Sequence, residues 1–558
     1  MKNRYYITIG FIVAFACSVI INIPLWHALV FTDELLWPDV ILQNGDEAFY
    51  LARIREVADG HPNMGQPFLF ERRDEPYNYG VAGELILGSL MRLKGLSIKT
   101  VTILADSVGV FLLVLMAWLA LQTVVPDWRW RLLAIAWFFL GASLFIGQRI
   151  VSPQLNLIPV FLYLLALFHP RRELPQWCVI RGTLIGTLFY VYPYYWTYCI
   201  SAEALLILWD LYHEKNWSAR IQRILWTSLP LLIIALPWLI GAWQNRGDVL
   251  MAETLTRLGL IHTRWPKGPI HQLQAILAIA AIWWLARSKK DVAAAWPLLS
   301  FVGAALVVYN QAILTNAELE FSNHYSIISR ISVQLAVVWL LMHLPTHYRW
   351  LQLSGVLAIS ALIILQTISW QNDVWNQFTT HAQSPNRSTD RAVMDALNAL
   401  PTEQVIVTPL TFATDVAIYT PHYPFFSNAT RLMPVANDEL VMRARIMRQF
   451  FPGDKISPRM VVGTHHINLA VHKRIECRVF NLLPGRSVDC DSIKPEQFLS
   501  SLWQEFVTAP RFSGTELFSL LREKHVGYLL AENVPASLLS RLELVATIEP
   551  YKLYKLKV

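Results

Sequence analysis

Charge is scarce in this 558-residue chain. Asp, Glu, Lys and Arg make up 16% of it and hydrophobic residues 54%, against about 25% charged residues in an average soluble domain. That composition excludes an ordinary soluble enzyme, and it excludes a disordered or collagen-like chain as well. Cysteine is also sparse, and 5 Cys exclude a disulfide scaffold. No G-x-x-x-x-G-K-[ST] loop occurs, which removes the usual device for ATP-driven transport. Neither H-E-x-x-H nor paired C-x-x-C is present, so a zinc centre has no support. What remains is a polytopic α-helical membrane protein with a soluble appendage.

The formal net charge of +7 would suggest nucleic acid in a soluble protein; in a membrane protein a basic excess first marks cytoplasmic loops, and no nucleic-acid partner is expected. Charge density also steps along the chain. About 20 Lys+Arg and 18 Asp+Glu fall after Trp370, near one residue in five, against nearer one in eight before it. The step divides a membrane domain, residues 1–370, from a polar tail, residues 371–558.

A spanning helix needs about 20 apolar residues. The first candidate, Tyr6 to Val30, follows Lys2 and Arg4 and lacks a small-residue cleavage site, so it reads as a retained anchor. The rest parses as hairpins with basic feet at Arg129/Arg131, Arg171/Arg172, Lys215/Arg220/Arg223, Arg287/Lys289/Lys290 and Arg349. The opposite tips are Gly147–Gln154, Tyr190–Tyr198, Trp243–Gly268 and Asn310–Tyr325. With the span Leu351 to Trp370 this gives about eleven spans, the N-terminus cytoplasmic and the tail outside, as expected for a bacterial inner membrane protein.

The longest loop, residues 31–99, falls outside. Phe49, Ile54 and Val57 have helical spacing there, predicting a helix over Asp46–Val57 that lies on the membrane surface; Tyr79–Leu93 is a second surface helix or a partial span. In the tail, Val405–Thr408, Val526–Ala531 and Leu544–Ile548 read as strands, and Arg391–Leu400 and Asp438–Phe450 as helices, an α/β or α+β domain. Cys477 and Cys490 sit on the side expected to be oxidising, so a disulfide is favoured over two free thiols.

The densest polar constellation is Asn44 to Pro62. Asp46 and Glu47 open its helix, where a carboxylate serves either as an N-cap or as an acceptor-activating base beside a lipid-borne leaving group. Arg72, Arg73, Asp74 and Glu75 form either a solvated charge run or a phosphate contact. Arg149, at a hairpin tip with no acid nearby in sequence, either snorkels or binds phosphate through its guanidinium. His324, Tyr325 and Arg330 form a similar group, with Arg330 inside a span where an ionisable residue is functional by default. The aromatic tip Tyr190–Tyr198 reads as an interfacial belt before a sugar-stacking surface. Glu84, Asp106 and Glu203 are candidate partners for Arg149, Arg181 or Arg330.

The first-loop pattern D-E-x-x-Y-x-x-R, here Asp46, Glu47, Tyr50 and Arg53, with a G-H-P turn and then Glu75-Pro76-Tyr77, resembles the GT-C superfamily of integral membrane glycosyltransferases, which use polyprenyl-phosphate-linked sugars. Protein mannosyltransferases and aminoarabinose transferases belong to it. The resemblance implies that Asp46 is the base or orients the acceptor, and that Arg149, His324 and Arg330 bind the lipid phosphate. Glu47 or Asp74 would position the sugar or a divalent metal ion. The chain lacks the Pro-Pro sequence many members carry at the second apolar segment, and it lacks the W-W-D-type signature of oligosaccharyltransferases, which favours transfer of a single hexosyl or pentosyl unit. The implied partners are a polyprenyl-phosphate sugar donor, membrane lipid, and an acceptor that is a glycan, lipid or protein. The competing readings are a polyprenyl-lipid flippase, disfavoured by the absence of matched broken helices in two halves, and a non-catalytic scaffold for envelope assembly.

Overall fold

The computed structural model describes residues 2–31, 47–63, 66–75, 80–141, 149–213, 216–244, 247–265, 268–318, 324–382, 387–481 and 488–557. Asp46, Pro76 and Tyr77 lie outside the described residues. The membrane part begins with α1 (Lys2–Phe31), followed by α2 (Glu47–Asp59) and α3 (Ala82–Lys94). Next come α4 (Ile98–Leu104), a π turn over Ala105–Gly109, α5 (Val110–Ala120), α6 (Trp128–Phe139), α7 (Asn156–Leu167), α8 (Pro175–Leu188), α9 (Pro193–His213) and α10 (Trp217–Gln244). It continues through α11 (Val249–Arg257), α12 (Pro269–Ser288), α13 (Val292–Tyr309), α14 (Gln311–Thr315), α15 (Tyr325–His343) and α16 (Arg349–Ala382).

Eight helices among the described residues are long and apolar enough to cross a membrane: Tyr6–Pro24, Ile98–Ala120, Ile150–Leu167, Trp217–Gln244, Pro269–Ser288, Val292–Tyr309, Tyr325–His343 and Thr346–Asn376. The other three segments of the sequence-based count form α6, α8 and α9, which pack into the same apolar core. Helices α6 and α8 have only 12 and 14 residues, and Glu203 and Asp210 interrupt the apolar run of α9. Small residues bring the helices together, as expected where apolar burial gives no preference for neighbour over lipid. A side chain at Gly182 of α8 would collide with the Thr227 carbonyl of α10, and one at Gly186 with Ile234. A buried ion pair between α8 and α9 joins Arg181 Nε to Glu203 Oε2 at 3.0 Å, and Tyr163 donates to the same carboxylate at 3.3 Å. Glu203 thereby finds the partner that burial demands.

The charge step at residue 370 falls inside α16. The C-terminal part then runs α17 (Arg387–Asn398), β1 (Val405–Val407), α18 (Leu410–Tyr419), β2 (Tyr423–Pro424), α19 (Asn437–Phe450), α20 (Pro458–Val462) and α21 (His465–Phe480). It closes with α22 (Ser501–Thr508), α23 (Gly514–Glu523), β3 (Val526–Ala531), α24 (Ala536–Leu539), β4 (Leu542–Ile548) and β5 (Tyr551–Leu556). The five strands make one mixed sheet in the order β2-β1-β3-β5-β4, with β1 parallel to β2 and β3, and β5 antiparallel to β3 and β4. Cys477 and Cys490 are joined by a disulfide with Cα atoms 5.6 Å apart.

The first loop departs from a simple surface helix. Leu51, Ala52 and Ile54 of α2 are fully buried, and with Leu87, Met91 and Val101 they belong to the apolar core of the C-terminal domain. Helix α3 can lie against α2 because Gly88 faces the Ile54 carbonyl and Val57 with no room for a Cβ. Its opposite face leaves Ile86 and Leu93 exposed, an amphipathic surface of the kind that meets lipid. Polar contacts close the seam: Tyr423 donates to Glu56 at 2.9 Å and Arg443 to Glu71 at 2.7 Å. Helix α11 is tied down similarly, with Arg257 donating to the carbonyls of Arg431 and Met433 at 3.2 and 2.9 Å.

Burial pushes the Glu56 carboxyl from its ordinary 4.5 up to about 7, against the opposing pull of the Tyr423 hydroxyl and of His61. A raised carboxyl favours the folded state fully below about pH 4.5, where both states are protonated, and that contribution is lost as pH rises through about 7. The loss is on the order of 3 kcal/mol. Thermal unfolding of the detergent-solubilised protein between pH 4.5 and 8 should therefore show falling stability, and Glu56→Gln, which keeps an acceptor for Tyr423, should flatten that profile. An unchanged slope in the variant would refute the assignment.

Candidate functional site

A cavity of about 400 Å³ opens where the first loop, the helix ends and the C-terminal domain meet, within the range of about 300–1,000 Å³ usual for small-ligand pockets. Helix α2 contributes Phe49, Tyr50 and Arg53; the turn before α9 contributes Tyr192 and the first turn of α9 Tyr194; His324 stands at the start of α15. The C-terminal domain closes the space with Thr414, Asn428, Arg431 and Arg459. Three of the four expected hairpin tips thus reach the same cavity as the first loop, the Trp243–Gly268 tip through Leu258. Local sequence explains the aromatic wall. Pro193 starts α9, so the tyrosines before and after it are held at a helix N-terminus rather than along its side. His324 Nδ1 and the Tyr192 hydroxyl are hydrogen-bonded, and the Tyr194 ring lies 5.4 Å from the imidazole.

Behind this wall lies an acidic recess. Glu47, the first residue of α2, is 1% exposed, and its Oε1 accepts from the Ile150 amide at 3.2 Å. Its Oε2 has no hydrogen-bond donor among the described residues. Burial holds this carboxyl well above the usual range; the neighbouring Asp106 raises it further, and Arg149 pulls it down. Asp106 sits in the π turn between α4 and α5, where Gln154 donates to the adjacent Ala105 carbonyl at 2.8 Å. Such a turn frees backbone geometry inside a helix and is frequent at functional sites. Glu47 is therefore an enclosed group that ties the start of α2 to residue 150.

Other sequence-derived candidates divide between this cavity and other places. Tyr50, Arg53 and His324 line the cavity. Arg53 is already committed: its Nη1 lies 2.9 Å from Glu84, both side chains are buried, and its guanidinium stands 5.4 Å from the Phe49 ring. Arg149 acts electrostatically on Glu47 and Tyr195 just behind the cavity. Tyr325 is buried in the bundle, sharing a hydrogen bond with Thr197 at 2.8 Å. Arg330 is exposed on α15 and faces His271 and Tyr309 rather than the cavity. The run Arg72–Glu75 lies along the domain seam: Arg72 pairs with Glu75 at 3.0 Å, Arg73 approaches Glu403 at 3.6 Å, and Asp74 meets His61 at 3.0 Å. Ionic neighbours from both sides of the seam occupy these groups.

Sequence reasoning missed Phe68, Asn156, Thr414, Asn428, Arg431 and Arg459 among the lining residues. Asn156 carried a signal, a polar residue at the head of an apolar helix. The four from the tail carried none, because their role comes from a contact between segments several hundred residues apart.

No family model matches the chain, and no curated protein does. Among solved structures it is similar to the archaeal oligosaccharyltransferase AglB of Archaeoglobus fulgidus in complex with an inhibitory peptide and a dolichol-phosphate, at 13% identity and TM-score 0.48, over 95% of this chain and 69% of that one. It is also similar to ArnT of Cupriavidus metallidurans bound to undecaprenyl phosphate, at 12% identity and TM-score 0.45, over 99% and 98% of the two chains.

The Arg53–Glu84 pair gives a stability test. Removing one partner of a buried pair typically costs about 3–5 kcal/mol, because the other charge is left uncompensated. Glu84→Ala should lower the unfolding midpoint strongly, and Arg53→Met combined with Glu84→Leu should recover most of the loss. Equal destabilisation by the single and double variants would show that packing, not the pair, sets the effect.

Proposed function

We propose that the protein is a membrane glycosyltransferase that moves one hexosyl or pentosyl unit from a polyprenyl-phosphate donor to an acceptor on the extracytoplasmic side. The observation that carries this reading is the cavity itself. A first-loop helix that starts at Glu47, two tyrosines, a histidine and a basic domain wall converge at the ends of membrane helices. A flippase needs a polar route through the bundle, whereas here the polar lining gathers at one end. The basic feet at the other end set the proposed orientation, N-terminus cytoplasmic in a bacterial inner membrane and C-terminal domain outside.

In the proposed reaction an acceptor hydroxyl attacks the anomeric carbon, the bond from that carbon to the phosphate oxygen breaks, and the electron pair leaves with the polyprenyl phosphate. Asp46 receives the hydroxyl proton. Glu47, enclosed beside the cavity, is a positioning residue: its bond to the Ile150 amide ties the start of α2 to the segment that follows Arg149. Arg149 supplies positive charge and His324 a hydrogen-bonding imidazole where the phosphate departs, the electrostatic contribution that is commonly the largest in such transfers. Tyr50, Tyr192 and Tyr194 offer ring faces and hydroxyls to the sugar. Among the described residues no three His, Cys, Asp or Glu converge to hold a metal ion, and no step here is routed through one.

The test is transfer of radiolabelled sugar from a polyprenyl-phosphate donor in membranes carrying Asp46→Asn at wild-type levels. Loss of a positioned base should lower the rate about 10²- to 10⁴-fold. Transfer near the wild-type rate would overturn the assignment of Asp46.

A further inference from the structure

The charged lining of the cavity is one-sided. Its charged members among the described residues are Arg53, Arg431 and Arg459, with His324 beside them and no carboxylate. Arg53 is answered by Glu84. The other two come from the C-terminal domain and are held differently. Arg431 lies on a short 3-10 turn, Thr430–Leu432, pinned by side chains: the Ser427 amide donates to Thr430 Oγ1 at 2.9 Å and the Ala429 amide to Ser427 Oγ at 3.1 Å. Arg431 Nε donates to Asn428 Oδ1 at 3.3 Å, and its carbonyl is gripped by Arg257. Its guanidinium is therefore preset before any ligand arrives, which lowers the entropy lost on binding. Arg459, on α20, is exposed to the cavity and has no acidic partner among the described residues.

We infer that Arg431 and Arg459 form an anion-recognising wall that binds a phosphate or carboxylate carried by the acceptor. This rests on the transferase reading above. In that reading the donor phosphate is met by His324 and Arg149 at the helix ends, so the domain wall faces the other reactant. Guanidinium groups pair with phosphate and carboxylate in a bidentate fork, and a cationic acceptor would meet like charge here. The cavity volume of about 400 Å³ restricts the recognised part to a sugar-sized unit bearing the anion, rather than an extended chain.

The experiment uses the full-length protein in lipid nanodiscs, with glucose, glucose 6-phosphate and glucuronate as soluble probes and undecaprenyl phosphate as the lipid probe. The wild type should bind glucose 6-phosphate or glucuronate at least about tenfold more tightly than glucose. Arg459→Gln should erase that preference and leave undecaprenyl phosphate affinity within about twofold. Arg431→Gln should do the same; should it fail to fold, the exposed Arg459 carries the test. No preference in the wild type, or one that survives Arg459→Gln, overturns the wall. A parallel loss of undecaprenyl phosphate binding in Arg459→Gln overturns its assignment to the acceptor. Failure of the wild type to bind undecaprenyl phosphate instead counts against the transferase reading, while the soluble probes still decide whether the wall binds anions.

Discussion

Helix α2 carries three buried ionisable side chains in thirteen residues, and each is answered by a different part of the molecule. Glu47 bonds to the Ile150 amide at the head of a membrane helix, Arg53 to Glu84 on α3, and Glu56 to Tyr423 of the C-terminal sheet. Burying such groups costs desolvation that their partners only offset, so they add little net stability. Their effect is directional. A rotation of α2 by one residue would strand a buried polar group in every direction at once, so the helix is fixed in angle as well as in place. The cavity depends on that angle, since Tyr50 and Arg53 enter it from the same helix that sends Glu56 the other way.

Both ends of the helix bundle carry paired charge, and at the end opposite the cavity the Arg181–Glu203 pair, with Arg181 donating to the Arg172 carbonyl, is buried. At the end opposite the cavity, Arg223 joins Glu173 at 3.1 Å and Asp210 at 3.3 Å, and Lys289 donates to the His343 carbonyl at 2.6 Å. These are shallow contacts, worth little individually, and they suit residues whose main effect is on orientation. Beside the cavity Arg459 is exposed, while Glu47, Arg53 and Glu84 are buried as well. There, a smaller effective dielectric makes each interaction stronger and each unpaired group more costly.

The spanning helices were legible because a membrane span is a local property: about 20 apolar residues announce it without reference to anything else in the chain. The same holds for α19 and for β1 and β3, whose residues share one pattern and one burial environment. Strand β5 was not legible, because the Lys residues of Tyr551–Leu556 hide its alternation, and β2 is only two residues long, existing through its partner β1. Helix α2 was found, but its surroundings were misread. Phe49, Ile54 and Val57 looked like one lipid-facing stripe; the second partner, α18, lies over 350 residues further on. Arg330 looked functional because it interrupts a span, yet it points away from the cavity. Arg431 and Arg459 were invisible, since a basic residue in a polar tail has no local signature.

A site at this junction suits two reactants of opposite solubility. A polyprenyl-linked donor can reach only the ends of membrane helices, and an acceptor from the aqueous side can reach only the domain that covers them. A cavity walled wholly by helix ends would leave the acceptor to be held by lipid headgroups and water; one walled wholly by the domain would put the donor phosphate out of reach. Helix α2 lies between the two walls and is buried in the core of the C-terminal domain while bonded to the bundle. In the proposed reaction Asp46, next in sequence to the start of this helix, is the base. The buried contacts at Glu47, Arg53 and Glu56 thus fix the helix from which Tyr50 and Arg53 enter the cavity.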